Sequence, residues 1–187
     1  MIYSVAFTCV LDTNEIYPLW TRALVLWVAH YDLYTQKWSQ NIFEEWHSVM
    51  LRKVIDEAVA NKRANDMNLA FPDALGENYE ALIENLELPD KDDRHVLAAA
   101  IKTNANLIIT NNLKDFPNDY LVNFGLKAKA PDDFFTDIID LNHDISLEAF
   151  RSVVLNKKNP PYNHYEVLDI LRSNGLKETA DYFHTLI

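Results

Sequence analysis

Short apolar runs rich in β-forming residues alternate with helical patterns along the first part of the chain. Residues 5–11 (VAFTCVL) and 107–110 (LIIT) have no polar face, which is typical of strands that are buried on both sides. A third run lies near residues 33–38, after an apolar helical pattern at 19–30. Strands that alternate with helices form parallel βαβ units, with helices on both faces of one sheet. The sequence therefore predicts an α/β fold built on a parallel sheet.

Capping residues predict where the remaining helices begin and end. Ser39 can cap a helix that runs to about Ala60, and another helix is expected over residues 94–103. Beyond about residue 140 the pattern changes to helices alone. They are expected at 147–155 with Ser146 as the cap, from a capping box of Asn163 and Glu166 to about Gly175, and at 177–186. We therefore expect a main domain at 1–140 and a C-terminal helical extension at 141–187.

Composition and charge exclude several classes of protein. Of the 187 residues, 49% are hydrophobic and 24% charged, as in globular proteins and unlike disordered ones. A formal net charge of −11 repels polyanions at long range, which argues against sequence-blind coating of nucleic acid. The first residues lack the pattern of a secretory signal, and no apolar run is long enough to span a membrane. The protein is therefore expected to be cytoplasmic, without membrane association.

Two aspartates follow predicted strands. Ligands of parallel α/β sheets bind outside the carboxyl ends of the strands. Asp12 ends the run at 5–11 abruptly, and Asp115 follows the run at 107–110. Either residue could instead serve a turn. Both are candidate active-site carboxylates, and Asn14 is expected to orient Asp12.

The helix after Ser39 distinguishes two adjacent glutamates. Successive helical residues turn by about 100°, which places Glu45 at the edge of the apolar face and Glu44 on the opposite side. That face consists of Ile42, Phe43, Trp46, Val49 and Met50. A carboxylate beside an apolar face must be paired or ligated, because burial of an unpaired charge is costly. Glu45 is thus a candidate ligand, and a salt bridge to Lys53 is the alternative.

The same angular reasoning separates three aspartates at the start of the helix at 94–103. Asp93 lies near the middle of the apolar face of that helix, whereas Asp92 lies well off it. The positive end of the helix dipole, worth about 0.3 to 1 kcal/mol per acid, explains Asp90 and Asp92. It explains Asp93 poorly. Asp93 therefore joins the candidate site.

Three or four carboxylates from separate elements form an all-oxygen site of the kind that Mg²⁺ or Mn²⁺ prefers. The sequence offers no matching set of histidines and cysteines for zinc. Cys9 is expected to be a buried structural thiol, and His47 and His95 are expected to be surface histidines. A phosphate-binding glycine loop is absent from the sequence.

Four ordered blocks of the sequence resemble those of PIN domains. They are VLDTN at 10–14, WSQNIFEEW at 38–46, DKDDRHVLAAA at 90–100 and ITNNLKDF at 109–116. The stretch DDRHVLAAA is the most specific, and it resembles the VapC-like subgroup, the toxins of type II toxin–antitoxin systems. The resemblance covers about residues 5–140 and implies a PIN fold, a parallel sheet flanked by helices.

The resemblance also implies which residues form the active site. The family's acids fall on Asp12, Glu45 and Asp93. The fourth acid has two candidate positions, because Asn112 stands near where an aspartate is common and Asp115 is slightly displaced. Asn14, Thr110 and Asn112 are expected to orient these acids, and Arg22, Arg94 and Lys114 to contact phosphates.

The implied activity is hydrolysis of an RNA phosphodiester, with Mg²⁺ or Mn²⁺ activating the attacking water. A cognate antitoxin would cover the acidic groove with a basic side chain. The C-terminal helices would extend the substrate groove, assist homodimerisation or cover apolar surface. Two alternatives remain open: a nuclease that processes RNA or acts on DNA, and a PIN-like interaction module without catalysis, which Asn112 motivates.

Overall fold

The computed structural model describes residues 7–16, 18–53 and 56–187. They divide between a sheet unit, residues 7–16 and 35–129, and a helical unit, residues 18–34 and 130–187. Positions 5 and 6 of the first predicted strand lie outside the described residues. None of the helices in the described ranges is both long and apolar enough to cross a membrane.

Five parallel strands form the sheet, in the order β3-β2-β1-β4-β5. They are β1 (Thr8–Leu11), β2 (Thr35–Ser39), β3 (Leu75–Gly76), β4 (Leu107–Ile109) and β5 (Lys127–Lys129). The predicted α/β fold with a parallel sheet is confirmed. The strand order proceeds outward in opposite directions from β1 and β4, so the carboxyl ends of these two strands border the switch point where ligands of open α/β sheets bind.

Burial follows the apolar pattern of the central elements. Cys9, Val10 and Leu11 in β1 are fully buried, and burial raises the pKa of the Cys9 thiol, as expected for a structural cysteine. The sheet unit contains α1 (Thr13–Ile16), α3 (Gln40–Arg52), α4 (Glu57–Ala70), α5 (Glu80–Ile83), α6 (Arg94–Lys102) and α7 (Asn118–Leu121). Short 3₁₀ turns lie at Pro72–Ala74, Leu113–Asp115 and Val122–Phe124.

The helix that follows Ser39 is shorter than the sequence predicts. The Ser39 hydroxyl accepts a hydrogen bond from Ile42 N, as a cap should, but α3 ends at Arg52 instead of near Ala60. Asp56 then caps α4, because its carboxylate accepts hydrogen bonds from the amides of Ala58 and Val59. This second cap divides the predicted single helix into two.

The helical unit contains α2 (Leu19–His30), α8 (Pro131–Leu141), α9 (His143–Leu155), α10 (His164–Ser173) and α11 (Lys177–Leu186). The capping box of Asn163 and Glu166 is confirmed. The predicted cap at Ser146 is wrong, because Asn142 caps α9 one turn earlier. The Ser146 hydroxyl is buried and donates to the carbonyl of Ile138 instead.

Candidate active site

Asp12 lies at the junction of β1 and β4. Its backbone N–H donates to the carbonyl of Ile109 at 3.1 Å, which fixes it beside the end of β4. The side chain is only 4% exposed; Oδ1 accepts from Thr13 N at 2.6 Å and Oδ2 from Thr110 Oγ1 at 2.8 Å. Burial raises the pKa of Asp12, and the charge of Glu45 raises it further, although the two hydrogen bonds oppose the shift.

Glu45 on α3 is held by donors from two other helices. Thr13 Oγ1 donates to its Oε2 at 2.5 Å, and His95 Nε2 lies 2.8 Å from its Oε1. Burial alone would raise the pKa of Glu45, but these two hydrogen bonds lower it below its usual value. Thr13 therefore links two candidate acids, since its amide binds Asp12 and its hydroxyl binds Glu45.

Asp93 stands at the N-terminus of α6 and is half-buried. Its Oδ2 is buried without a hydrogen-bond partner among the described residues. Burial raises the pKa of Asp93 to about 6, and the charges of Asp12, Asp90 and Asp115 contribute. This carboxylate experiences both desolvation and repulsion from neighbouring acids, which a cation would relieve.

Asp115 is buried and completes the acidic cluster. One carboxylate oxygen each of Asp90, Asp93 and Asp115 lie within 4.8 Å of one another. The Asn112 side-chain amide donates to Asp115 Oδ2, and the Asn112 backbone amide donates to Thr110 Oγ1 at 3.0 Å. The Asn112 side chain thus holds the carboxylate of Asp115, which lies beside those of Asp90 and Asp93.

The residue predicted to orient Asp12 and the three predicted phosphate contacts differ in their surroundings. Asn14 is exposed, and the donors that hold Asp12 are Thr13 and Thr110. Arg94 follows Asp93 directly, and its Nε is buried without a partner among the described residues. Lys114 is exposed, with its Nζ 3.9 Å from Asp115 Oδ2. Arg22 belongs to the helical unit.

Three residues that lie in the site were not assigned to it from the sequence. His95 is not a surface histidine, because its side chain is 8% exposed and contacts Glu45. The available signal was the run of five apolar residues after it, Val96 to Ala100, which indicates a helix that is buried on nearly every side. Thr13 and Asp90 gave no periodic signal, since Thr13 begins a helix of only four residues and Asp90 precedes a helix.

The donor set fits a hard divalent cation. The clustered ligand atoms are all carboxylate oxygens, and no described residue gives the buried Oδ2 of Asp93 the hydrogen bond that a buried carboxylate needs. A cation can supply the missing positive charge. The described residues whose oxygens are close enough to share such a cation are Asp90, Asp93 and Asp115. Asp12 and Glu45, the other two predicted acids, are not part of that group, although the charge of Asp12 acts on Asp93.

Comparison with known proteins gives three matches. The sequence model of the PIN domain matches residues 8–114, and that of the VapC50 C-terminal domain matches residues 131–185. A protein of Mycobacterium tuberculosis (strain ATCC 25618 / H37Rv), described as "Putative ribonuclease VapC50", is 42% identical over 107 residues. That alignment covers 57% of this chain and 60% of the relative's length. No solved structure matches the chain.

Proposed function

The chain belongs to the PIN-domain family, and on that premise we propose that it is a metal-dependent endoribonuclease that hydrolyses RNA phosphodiester bonds. The observation that carries the proposal is the carboxylate of Asp93, which is desolvated and repelled by three other aspartates, and whose buried Oδ2 has no hydrogen-bond partner in the part of the chain that the structure describes. Such a group is unfavourable in a protein that binds no cation. The description of the similar mycobacterial protein as a ribonuclease supports RNA as the substrate.

Asp12, Glu45, Asp93 and Asp115 would hold Mg²⁺ or Mn²⁺. When bound, the ion supplies Lewis-acid activation of water and neutralises the charge of the phosphate. Carboxylates cannot neutralise that charge, because they are negative themselves. The choice of these ions over zinc follows from the all-oxygen donor set.

Side chains of the protein would orient the water and bind the substrate phosphate. Glu45 keeps 44% of its side chain exposed while both its oxygens are held, so it can accept a proton or orient a water at a fixed place. Arg94 follows Asp93 in the sequence, and its guanidinium is the candidate donor to the substrate phosphate. Lys114 is a second candidate. Arg22 belongs to the helical unit, and its role as a phosphate contact stays a prediction from the sequence.

The similarity to VapC proteins supports a toxin of a toxin–antitoxin pair as the biological role. The formal charge of −11 and the acidic cluster favour an antitoxin that inserts a basic side chain. Co-purification with the product of the adjacent gene tests this pairing. A basic segment of that product should inhibit cleavage, and its Lys→Ala and Arg→Ala variants should not.

An RNA panel tests the enzymatic proposal directly. Purified protein should cut RNA in Mg²⁺ or Mn²⁺ and stop when excess chelator is added, and Asp93→Asn should be inactive where Asp92→Asn is active. Matched DNA oligonucleotides distinguish a DNase, and structured precursor RNAs distinguish a processing enzyme. Binding of RNA or a protein partner without any cleavage would favour the interaction module. The observation that motivated that module is weakened, because Asn112 binds Asp115 instead of replacing it.

A further inference from the structure

The side chain of Glu45 is held more firmly than its environment requires. It is 44% exposed, so water can solvate much of its charge. Nevertheless both of its oxygens accept hydrogen bonds, one from α1 through Thr13 and one from α6 through His95. A glutamate loses considerable rotamer freedom when both oxygens are fixed. These bonds therefore orient the carboxylate, and the burial of Glu45 does not explain them.

His95 is poorly suited to a purely structural role at its position. Its side chain is 8% exposed, and its Nδ1 is buried without a hydrogen-bond partner among the described residues. The next five residues of α6, Val96 to Ala100, are all apolar and buried. An apolar side chain at position 95 would avoid the unsatisfied nitrogen. The feature that only histidine supplies here is the Nε2 contact to Glu45.

The direction of that hydrogen bond follows from its partner. An ionised carboxylate only accepts, so His95 Nε2 donates to Glu45 Oε1. His95 lies two residues after Asp93, so the first turn of α6 carries one acid of the site and the donor that holds another. The turn thereby couples the placement of Asp93 to that of Glu45.

We propose that His95 is a positioning residue that acts through Glu45, holding its carboxylate toward the acids that would bind the metal ion. The inference rests on the proposed function, because it assigns a role in the same site. Thr13 holds the other oxygen of Glu45, and neither residue needs to touch the substrate.

Two amide substitutions of equal polarity test the position of the donor. The Gln amide nitrogen can reach the place of Nε2, whereas the shorter Asn amide reaches only that of Nδ1. His95→Gln should keep Mn²⁺ affinity and cleavage rate within about five-fold of the wild type. His95→Asn should lower both by about 10- to 100-fold, as when a partner of a metal ligand is lost. Mn²⁺ affinity is measured by titration calorimetry without RNA, and cleavage in single turnover.

His47→Asn is the matched control. His47 lies on α3 two residues after Glu45, and no hydrogen bond joins it to a carboxylate among the residues that the structure describes. His47→Asn should therefore leave Mn²⁺ affinity unchanged. Equal behaviour of His95→Gln and His95→Asn would overturn the proposal.

A double-mutant cycle with Glu45→Gln distinguishes positioning from packing. If His95 acts through Glu45, adding His95→Asn to Glu45→Gln should change Mn²⁺ affinity by less than about three-fold. Losses that multiply would show that His95 acts independently, and would also reject the inference. A wild type that neither binds Mn²⁺ nor cuts RNA would instead remove the proposed function. An active wild type with an equally active His95→Asn would remove only the role of His95.

Discussion

Burial raises the pKa of Asp93 and the charge of Asp12 raises it further, although the protein supplies hydrogen-bond donors to the two carboxylates very differently. Asp12 accepts hydrogen bonds from the Thr13 amide and the Thr110 hydroxyl. Oδ2 of Asp93 is buried and has no partner among the described residues. The fold therefore compensates part of the charge of Asp12, whose pKa is still raised by burial, and gives the buried oxygen of Asp93 no donor among the described residues. Asp93 is the carboxylate with the most to gain from a bound cation.

We expect Asp93→Asn to stabilise the metal-free protein at neutral pH. The pKa of Asp93 is raised to about 6, so the folded state binds this proton more tightly than the unfolded state does. Stability from the protonated form is fully present below the unfolded pKa and is lost as pH rises through about 6. The melting temperature of Asp93→Asn in chelator should exceed that of the wild type by about 2 to 4 °C at pH 7.5, equivalent to ~1 kcal/mol. The difference should vanish near pH 4.

Asp92→Asn is the control for that comparison. Asp92 is exposed and does not belong to the cluster of Asp90, Asp93 and Asp115. Its variant should match the wild type in melting temperature at both pH values and in cleavage rate, while Asp93→Asn should be inactive. Equal losses in the two variants would contradict the placement of Asp93 within the site.

Angular reasoning within one helix located much of the candidate site from the sequence. Glu45 and Glu44 differ in exposure as their positions on α3 predict, and Asp93 differs from Asp92 in the same way. Helical periodicity is local, so a sequence contains all that is needed to decide which side of a helix a residue occupies. The end of β1 likewise marked Asp12, because burial of the strand stops there.

Contacts between distant segments could not be predicted in the same way. The approach of Asp90 to Asp115 and the bond from His95 to Glu45 join residues that lie 25 and 50 positions apart. The edge strand β5, with the sequence KAK, has no hydrophobic signal, and β4 determines its pairing. These features depend on how elements pack against one another, and the periodicity of a single sequence does not contain that information.

Divalent metal should raise the melting temperature of the wild type. A ligand that binds only the folded state stabilises it by mass action, by ~2.7 kcal/mol at a hundred-fold excess over its Kd. The shift should shrink in Asp12→Asn. Asp119→Asn, an exposed aspartate on α7, is the control and should keep the full shift. A melting temperature that does not respond to millimolar Mg²⁺ or Mn²⁺ would argue for the non-catalytic module.

Asp132 should stabilise the helical unit independently of the metal site. Its carboxylate accepts hydrogen bonds from the amides of Glu178 and Thr179 and from the Thr179 hydroxyl, which caps the first turn of α11. Asp132→Ala should cost ~1 to 2 kcal/mol of unfolding free energy, as for the loss of a helix cap. Asp133→Ala, at the exposed neighbouring position, should cost less than ~0.5 kcal/mol. Denaturant melts measure both, and Mn²⁺ affinity should stay unchanged in each folded variant.

Glu45 and Glu44 offer the sharpest test of the site, because they are adjacent and chemically identical. Glu45 receives hydrogen bonds from Thr13 and His95, whereas the exposed side chain of Glu44 is bonded only to Gln40 among the described residues. Glu45→Gln should lower Mn²⁺ affinity and reduce cleavage by about 100-fold or more, as when a group that assists proton transfer is lost.

Glu44→Gln should change Mn²⁺ affinity and cleavage rate by less than ~1 kcal/mol, as surface substitutions do. Calorimetric titration of Mn²⁺ measures affinity, and single-turnover kinetics separate the chemical step from RNA binding. Circular dichroism should show both variants folded, since neither residue belongs to the buried core. If Glu44→Gln proved the damaging change, the hydrogen bonds that hold Glu45 would have no catalytic role. The metal-binding site would then have to lie on the solvent-facing side of α3.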